Sequence, residues 1–372
     1  MAYVAAKGGE KAIQEAEKLF HVLKGALTRE MVDTIENNMP YLLDRVMGEA
    51  SLYAPRLAAL ALAQTGGDEY EAVLLLRAYR STQPRLAYAK PVTADDMLTI
   101  RRISAAFKDI PGGQILGPTL DYSHRLLRVD VLEEGETAVA LPVTPAEIPA
   151  PAQYPFVADW QRGQDLLPPL PESAQEAVDP ADIPDLTREP LLIPASRAHR
   201  LQSLARADTG GVLSLGYANM RGYGGVHPTV NEVRLAQTQV QVTHPVTGAA
   251  FSIGRVRTSQ CEIVTTFAGS AEKPQLQLGF AATLGWNEVK VIAASMLDLA
   301  MDKPAPHPAH TEEFVLYHTE VVESSGFCIH YKLPHYVTFN SSLDNMRRVM
   351  QASGWLRTPD DEKKKPQPLA SV

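Results

Sequence analysis

The spacing of the apolar residues changes along this chain, and that change constrains the fold more than any other feature. Up to about residue 107 the apolar positions recur at helical intervals. Between Glu232 and Thr283 they partly alternate and are rich in β-branched residues. From Trp286 the helical interval returns. Helices, then strands, then helices is the order of an α+β protein; a doubly wound α/β fold interleaves the two. The expectation is a helical N-terminal part, followed by a mixed, mainly antiparallel sheet with packed helices.

In detail, Gly8–Leu23, Met39–Gln64 (interrupted near Pro55), Asp68–Ser81, Ser196–Ala207, Trp286–Met301 and Glu312–Ser324 read as helices. Thr93–Phe107 reads as another, with Thr93 as N-cap and Asp95 and Asp96 in the first turn. Met1–Ala6, Glu232–Thr243, Phe251–Phe267 and Leu276–Thr283 read as strands. Four regions follow: a helix-rich part over 1–141, an acidic Pro-rich linker or insertion over 142–190, an α+β region over 191–355, and a tail over 356–372. Residues 142–190 hold 11 of the 28 prolines, and nine acids against two arginines. That stretch carries most of the net charge of −8, so the remainder is nearly neutral and a nucleic-acid-binding surface is not expected. The longest apolar runs, Ala58–Ala63 and Val289–Leu299, are too short or too polar to span a bilayer. No signal-peptide core follows Met1, and two cysteines, Cys261 and Cys328, are too few for a disulfide framework. A cytoplasmic protein is expected.

Three segments carry chemistry. Arg101–Arg125 contains Arg101, Arg102, Lys108, Gly112, Gly113, Gln114 and Thr119. Its glycines permit close backbone approach to a ligand, and its cations suit phosphate. It is neither a Walker A loop nor a dinucleotide fingerprint, and a connection that turns the chain twice accounts for it equally well. Asn219–Pro228 offers Arg221, Tyr223 and His227 among three glycines, either a binding loop or a tight turn. The third is Cys328-Ile329-His330-Tyr331-Lys332-Leu333-Pro334-His335-Tyr336. Pro334 stops a helix from running through to His335, and a straight strand would point the two rings to opposite faces. Both imidazoles reach one ion only if the backbone turns at Leu333-Pro334. Even then two ligands leave a zinc site incomplete, so outside ligands are needed; local hydrogen bonding is the alternative. His307, His310 and His318 read as surface residues.

Taken in order, these segments carry a resemblance. Tyr3-Val4-Ala5-Ala6-Lys7-Gly8-Gly9-Glu10-Lys11-Ala12-Ile13, Asp44-Arg45-Val46-Met47, Leu74–Arg80, Lys108–Arg125, Arg221-Gly222-Tyr223-Gly224 and Glu313-Phe314-Val315-Leu316 through Tyr336 resemble the I-subunit family (PhnI) of the bacterial carbon–phosphorus lyase complex. The resemblance runs from residue 2 to about 352; the acidic stretch and the tail match poorly. It implies a part in phosphonate catabolism. With the G, H and L subunits, such a chain displaces adenine from ATP by an alkylphosphonate, giving ribose 1-alkylphosphonate 5-triphosphate. Alone it implies a purine nucleosidase acting on ATP or GTP. Implied partners are G, H and J in a core complex with two copies of each, and also K and L. The resemblance further implies that His330 and His335 bind zinc, or another divalent metal, at the contact with J.

Displacing adenine at C1′ passes through an oxocarbenium-like state, so the purine needs a proton and the sugar needs a nearby anion. Asp109, Asp121 and Glu262 are the candidate carboxylates. Arg101, Arg102, Lys108, Gly112, Gly113, Gln114, Thr119, Arg221 and Tyr223 are the candidate contacts to phosphorylated substrate. A non-catalytic, nucleotide-binding scaffold is the alternative.

Overall fold

A computed structural model describes residues 9–132, 154–171, 179, 182–223, 227–268 and 273–355. The strand expected at Met1–Ala6 and the tail from 356 lie outside the described residues. The chain divides into two units. One comprises Ala26–Ser324; the other comprises Met1–Gly25 and Ser325–Val372 and includes α1 (Gly9–Lys24). No described helix is long and apolar enough to cross a membrane.

The larger unit opens with a helical layer: α2 (Arg29–Asn38), α3 (Pro40–Ala50), α4 (Pro55–Thr65) and α5 (Glu69–Ser81). The boundaries follow local chemistry. Thr28 caps α2 by accepting from the Met31 amide, and Asp68 caps α5 by accepting from Glu71. Pro40 and Pro55 occupy first-turn positions, where the missing N–H costs nothing. Gly66 ends α4 at φ 69°, a left-handed position that glycine adopts without strain. Val46, Met47, Ala58, Ala59, Leu62, Ala72, Val73 and Leu76 form its core, which Val321 completes.

Among the described residues the sheet has four strands in the order β1 (Met97–Ile103), β2 (Thr229–Thr243), β3 (Ala250–Ala268) and β4 (Gln275–Leu284), and every pairing is antiparallel. A short α6 (Val157–Arg162) leads into the region, and α7 (Arg197–Arg206) and α8 (Thr209–Ala218) precede β2. The long apolar helix α9 (Glu288–Met301) packs on the sheet. Register places Ile103, Val233, Cys261 and Ala281 in one row across the strands. Val233, Cys261 and Ala281 share a core with Val291, Ala294 and Leu297 of α9. Contact there is close: a Cβ on Gly279 would collide with the Ser295 carbonyl oxygen and sit 2.8 Å from Leu299 Cβ. The architecture is α+β, as the sequence pattern predicts.

Four expectations change. Thr93 does cap, in a capping box with Asp96, but it closes a single 3-10 turn at Ala94–Asp96 rather than a helix through Phe107. The chain then extends as β1, because pairing with β2 satisfies its backbone. The helix expected over Glu312–Ser324 is two helices, α10 (Glu312–His318) and α11 (Val321–His330). Glu320 separates them: its carboxylate accepts from the amides of Val322 and Glu323 at 2.9 Å and starts the second helix. Within 142–190, read as an exposed linker, Val157, Ala158, Gln161 and Leu167 are buried. His310 is not at the surface: it is 1% exposed, with Nε2 3.3 Å from the Leu215 carbonyl. The last helix among the described residues of the smaller unit is α12 (Tyr336–Ala352), which has no buried residue.

Candidate functional site

Strand register builds the first part of the site. Arg102 stands opposite Arg234, Arg234 opposite Gln260, and Gln260 opposite Ala282; one step along, Glu232 faces Glu262, which faces Phe280. All of these belong to rows adjacent to the α9 row, so they alternate onto the other face of the sheet. Two carboxylates directly opposite one another repel. The pair persists because the two acids are treated differently. Glu232 is fully buried; its Oε1 accepts from Arg102 Nε at 3.2 Å and Arg234 Nε at 2.5 Å, and its Oε2 accepts from the Val157 amide. Glu262 receives neutral donors, the Ala158 amide at 3.1 Å and Asn231 Nδ2 at 3.0 Å. Burial, and then the charge of Glu232, push the Glu262 carboxyl up to about 7, against those hydrogen bonds and Arg234. Near neutrality Glu262 is therefore poised between acid and base.

Glu262 also lines a cavity of about 560 Å³. Phe156, Leu186 and Phe280 supply apolar wall; Gln202, Thr238 and Thr258 supply polar groups. A mostly apolar cavity with a few placed polar groups and one perturbed acid is the usual form of a small-molecule site. The other candidate acids differ. Asp109 is exposed, as is Lys108. Asp121 is half-exposed and committed to Arg101 Nη2 at 2.6 Å, with Arg125 at 3.4 Å.

The glycine-rich segment is a loop held by the two arginines before it. Every nitrogen of the Arg101 guanidinium donates to protein: Nε to Glu288, Nη1 to the Leu116 carbonyl and Nη2 to Asp121. Arg102, fully buried, sends Nε to Glu232, Nη1 to the carbonyls of Pro111 and Gly113, and Nη2 to the Pro155 carbonyl. Gln114 accepts from the Ser104 amide and donates to the Lys108 carbonyl, and Thr119 caps the Asp121 amide. Gly112 and Gly113 take left-handed φ values of 83° and 78°. Gly117 is tighter: at φ 61°, a Cβ would collide with the Ile100 carbonyl oxygen and sit 2.8 Å from Arg101 Cβ. These residues come together, yet the two arginines act on the loop rather than present themselves to solvent. Arg221 is exposed, with its guanidinium 5.8 Å from the Tyr217 ring; Tyr223 ends the π-helical turn Asn219–Tyr223. Gly224 and Gly225 lie outside the described residues.

The histidine segment turns where expected. Helix α11 stops at His330, Leu333-Pro334 reverse the chain, and α12 begins at Tyr336, leaving the two Nε2 atoms 3.0 Å apart. His335 Nδ1 lies 2.6 Å from the Leu333 carbonyl, which can only accept, so Nδ1–H donates to it; in the neutral ring this leaves Nε2 as the nitrogen with the free lone pair. Two imidazole nitrogens bound to one tetrahedral zinc at about 2.05 Å stand roughly 3.3 Å apart, so the pair fits such an ion with a small adjustment. The carbonyl contact also orients the ring as metal sites require. Among the described residues no third His, Cys, Asp or Glu joins them, so the ligand set is incomplete there.

Glu232 and Arg234 escaped sequence reasoning. Their signal was present: two opposite charges two apart, interleaved with Val233 and Leu235 in a strand, share one face, and where that stretch is buried they must be paired.

Fold and site together define an α+β protein with a mostly apolar cavity that carries one perturbed carboxyl. The chain belongs to the family of bacterial phosphonate metabolism proteins, PhnI, whose model matches residues 2–353. Relatives include the putative C-P lyase subunit protein HtxH of Stutzerimonas stutzeri, 45% identical over 93% of this chain and 95% of its own. The alpha-D-ribose 1-methylphosphonate 5-triphosphate synthase subunits PhnI of Rhizobium meliloti and Escherichia coli are 42% and 40% identical, over 93% and 94% of this chain and 94% and 98% of theirs.

Proposed function

We propose that this chain is a subunit of a carbon–phosphorus lyase system. Together with partner subunits G, H and L it exchanges the adenine of ATP for an alkylphosphonate, forming ribose 1-alkylphosphonate 5-triphosphate. Alone it acts as a nucleosidase. The observation that carries this reading is the family match across residues 2–353, with relatives named as subunits of that synthase.

Of the three carboxyl candidates, Glu262 suits the chemistry best. It lines a cavity, and burial together with Glu232 makes it a proton donor near neutrality. In the reaction the C1′–N9 bond breaks and a C1′–O bond to the phosphonate forms. The proton of Glu262 goes to the departing purine, and the resulting carboxylate faces the positive charge developing on the ribose. Glu232, held by Arg102 and Arg234, sets the position and proton affinity of Glu262 from across the strand pair. The arginines Arg101 and Arg102 hold the glycine-rich loop in place. Their engagement favours the scaffold reading as far as that loop is concerned, because it leaves the loop with few free cations. His330 and His335 would hold a divalent metal, zinc in the first instance, whose remaining ligands come from the J subunit; the metal would tie the two subunits together.

The test is incubation of the purified chain with ATP, following free adenine by chromatography and ribose 5-triphosphate by phosphorus NMR. Release that is lost in Glu262→Gln supports the reading. No adenine from the wild-type chain, despite ATP binding, makes it a scaffold.

A further inference from the structure

If Arg101 and Arg102 are engaged, an anionic ligand needs other cations. A second cavity of about 1150 Å³ supplies them. Arg80 from the last turn of α5, Arg85 just after it, and Arg188 all line it. No aspartate or glutamate is among its described lining residues. Arg85 has one acid, Asp185, at its side and stacks 4.9 Å over Tyr88. Among the described residues the hydrogen bond of Arg80 is to a carbonyl, that of Ser51 at 3.3 Å, with the charge of Asp185 nearby. Ser51 and Thr187 line this cavity and also the one that holds Glu262, so the two adjoin.

Three guanidinium groups around one cavity repel each other, and the one carboxylate beside them, Asp185, which pairs with Arg85 and also interacts with Arg80 and Arg188, leaves two positive charges in excess. Arg80 shows the crowding. Burial first, and then Arg77 and Arg85, lower its proton affinity, with Asp185 opposing. Arg77 cannot serve as a relief, since Glu320 and backbone carbonyls occupy it. Planar guanidinium forks match the oxygens of a phosphate in pairs, and three of them suit a chain of phosphates better than a single carboxylate.

We propose that Arg80, Arg85 and Arg188 form an oligophosphate site. On the nucleotide reading above, the triphosphate of ATP lies there, and its sugar and base enter the adjoining cavity toward Glu262. The anion site itself rests on the cavity and its charges, and the nucleotide assignment rests on the family reading.

The experiment is calorimetric titration of the full chain with tripolyphosphate, ATP and adenosine. Arg188 is exposed, so Arg188→Ala removes a charge without disturbing packing. It should weaken tripolyphosphate binding about tenfold, as loss of one charged hydrogen-bonding partner does. Arg80→Ala should do the same, and Arg188→Lys should recover part of the loss. Arg128→Ala, which removes an exposed charge that pairs with Asp130, should bind as wild type. Binding should also fall with added salt. ATP binding tighter than tripolyphosphate, with both weakened by Arg188→Ala, supports the whole proposal. Equal binding of the two supports the anion site and contradicts the nucleotide reading. Wild-type chain that binds no tripolyphosphate, or Arg188→Ala and Arg80→Ala chains that bind it unchanged, overturns the site.

Discussion

Replacing Glu262 by glutamine tests the chemistry of the site without an assay of activity. In the folded chain its carboxyl is pushed to about 7, against an ordinary value near 4.5. Between those values the folded state keeps a proton that the unfolded chain releases. The contribution of this group to stability is therefore complete below about pH 4.5 and is lost as pH rises through 7. Between pH 5 and pH 8 the loss amounts to about 2.5 kcal/mol for one such carboxyl. Glutamine keeps the shape and an oxygen for the Ala158 and Asn231 donors, and has no proton to lose. Its own extra N–H adds a cost that does not vary with pH. Urea unfolding of both chains at pH 5 and pH 8 gives the comparison. The stability difference, variant minus wild type, should become more favourable to the variant by about 2 to 3 kcal/mol from pH 5 to pH 8. Other buried acids, such as Asp44, whose carboxyl is also raised by burial, cancel because both chains carry them. A difference that stays constant within about 0.5 kcal/mol would show that Glu262 is ionised in the folded chain at pH 5, and the acid–base role would fall with it.

Arg102→Ala should destabilise the chain by about 3 to 5 kcal/mol, because Glu232 stays buried with one cation fewer; thermal unfolding measures this, and a change under about 1 kcal/mol refutes the strut. Gly117→Ala should cost about 2 kcal/mol or more, from left-handed backbone plus collision with Ile100, whereas Gly113→Ala, with open space around it, should cost about 1 kcal/mol. Equal losses in the two would contradict the loop geometry. His330→Ala and His335→Ala should each remove zinc from the assembled complex, measured by elemental analysis, while the isolated chain keeps its unfolding midpoint; zinc retained in full would mean that the rings bind no metal.

Much of the fold was legible, and the failures share a cause. The strands from Glu232 to Thr283 declare themselves through β-branched alternation, and the helix at Asp68–Ser81 through its one-sided apolar period. Strand β1 did not, because its N-terminal signal was genuine but local: the Thr93–Asp96 capping box closes one turn, and the strand beyond it exists only through pairing with β2. The same distance hid the fate of the arginines. Arg101 and Arg102 look alike in sequence, but neighbouring strand residues face opposite ways, and the partner of Arg102 is Glu232, 130 residues further on. Averaging over a Pro-rich acidic stretch likewise hid the buried Val157, Ala158 and Gln161, the first two of which supply amides to Glu232 and Glu262. The histidine turn was legible because Pro334 acts on its immediate neighbours.

The most direct measurement is phosphorus NMR of ATP and methylphosphonate incubated with the assembled complex, comparing wild-type and Glu262→Gln chains. A new ribose 1-methylphosphonate 5-triphosphate signal with stoichiometric adenine is expected for wild type, and a rate lower by about 100-fold or more for the variant, the usual loss with a general acid. A Glu262→Gln complex that forms the product at the wild-type rate would contradict that role.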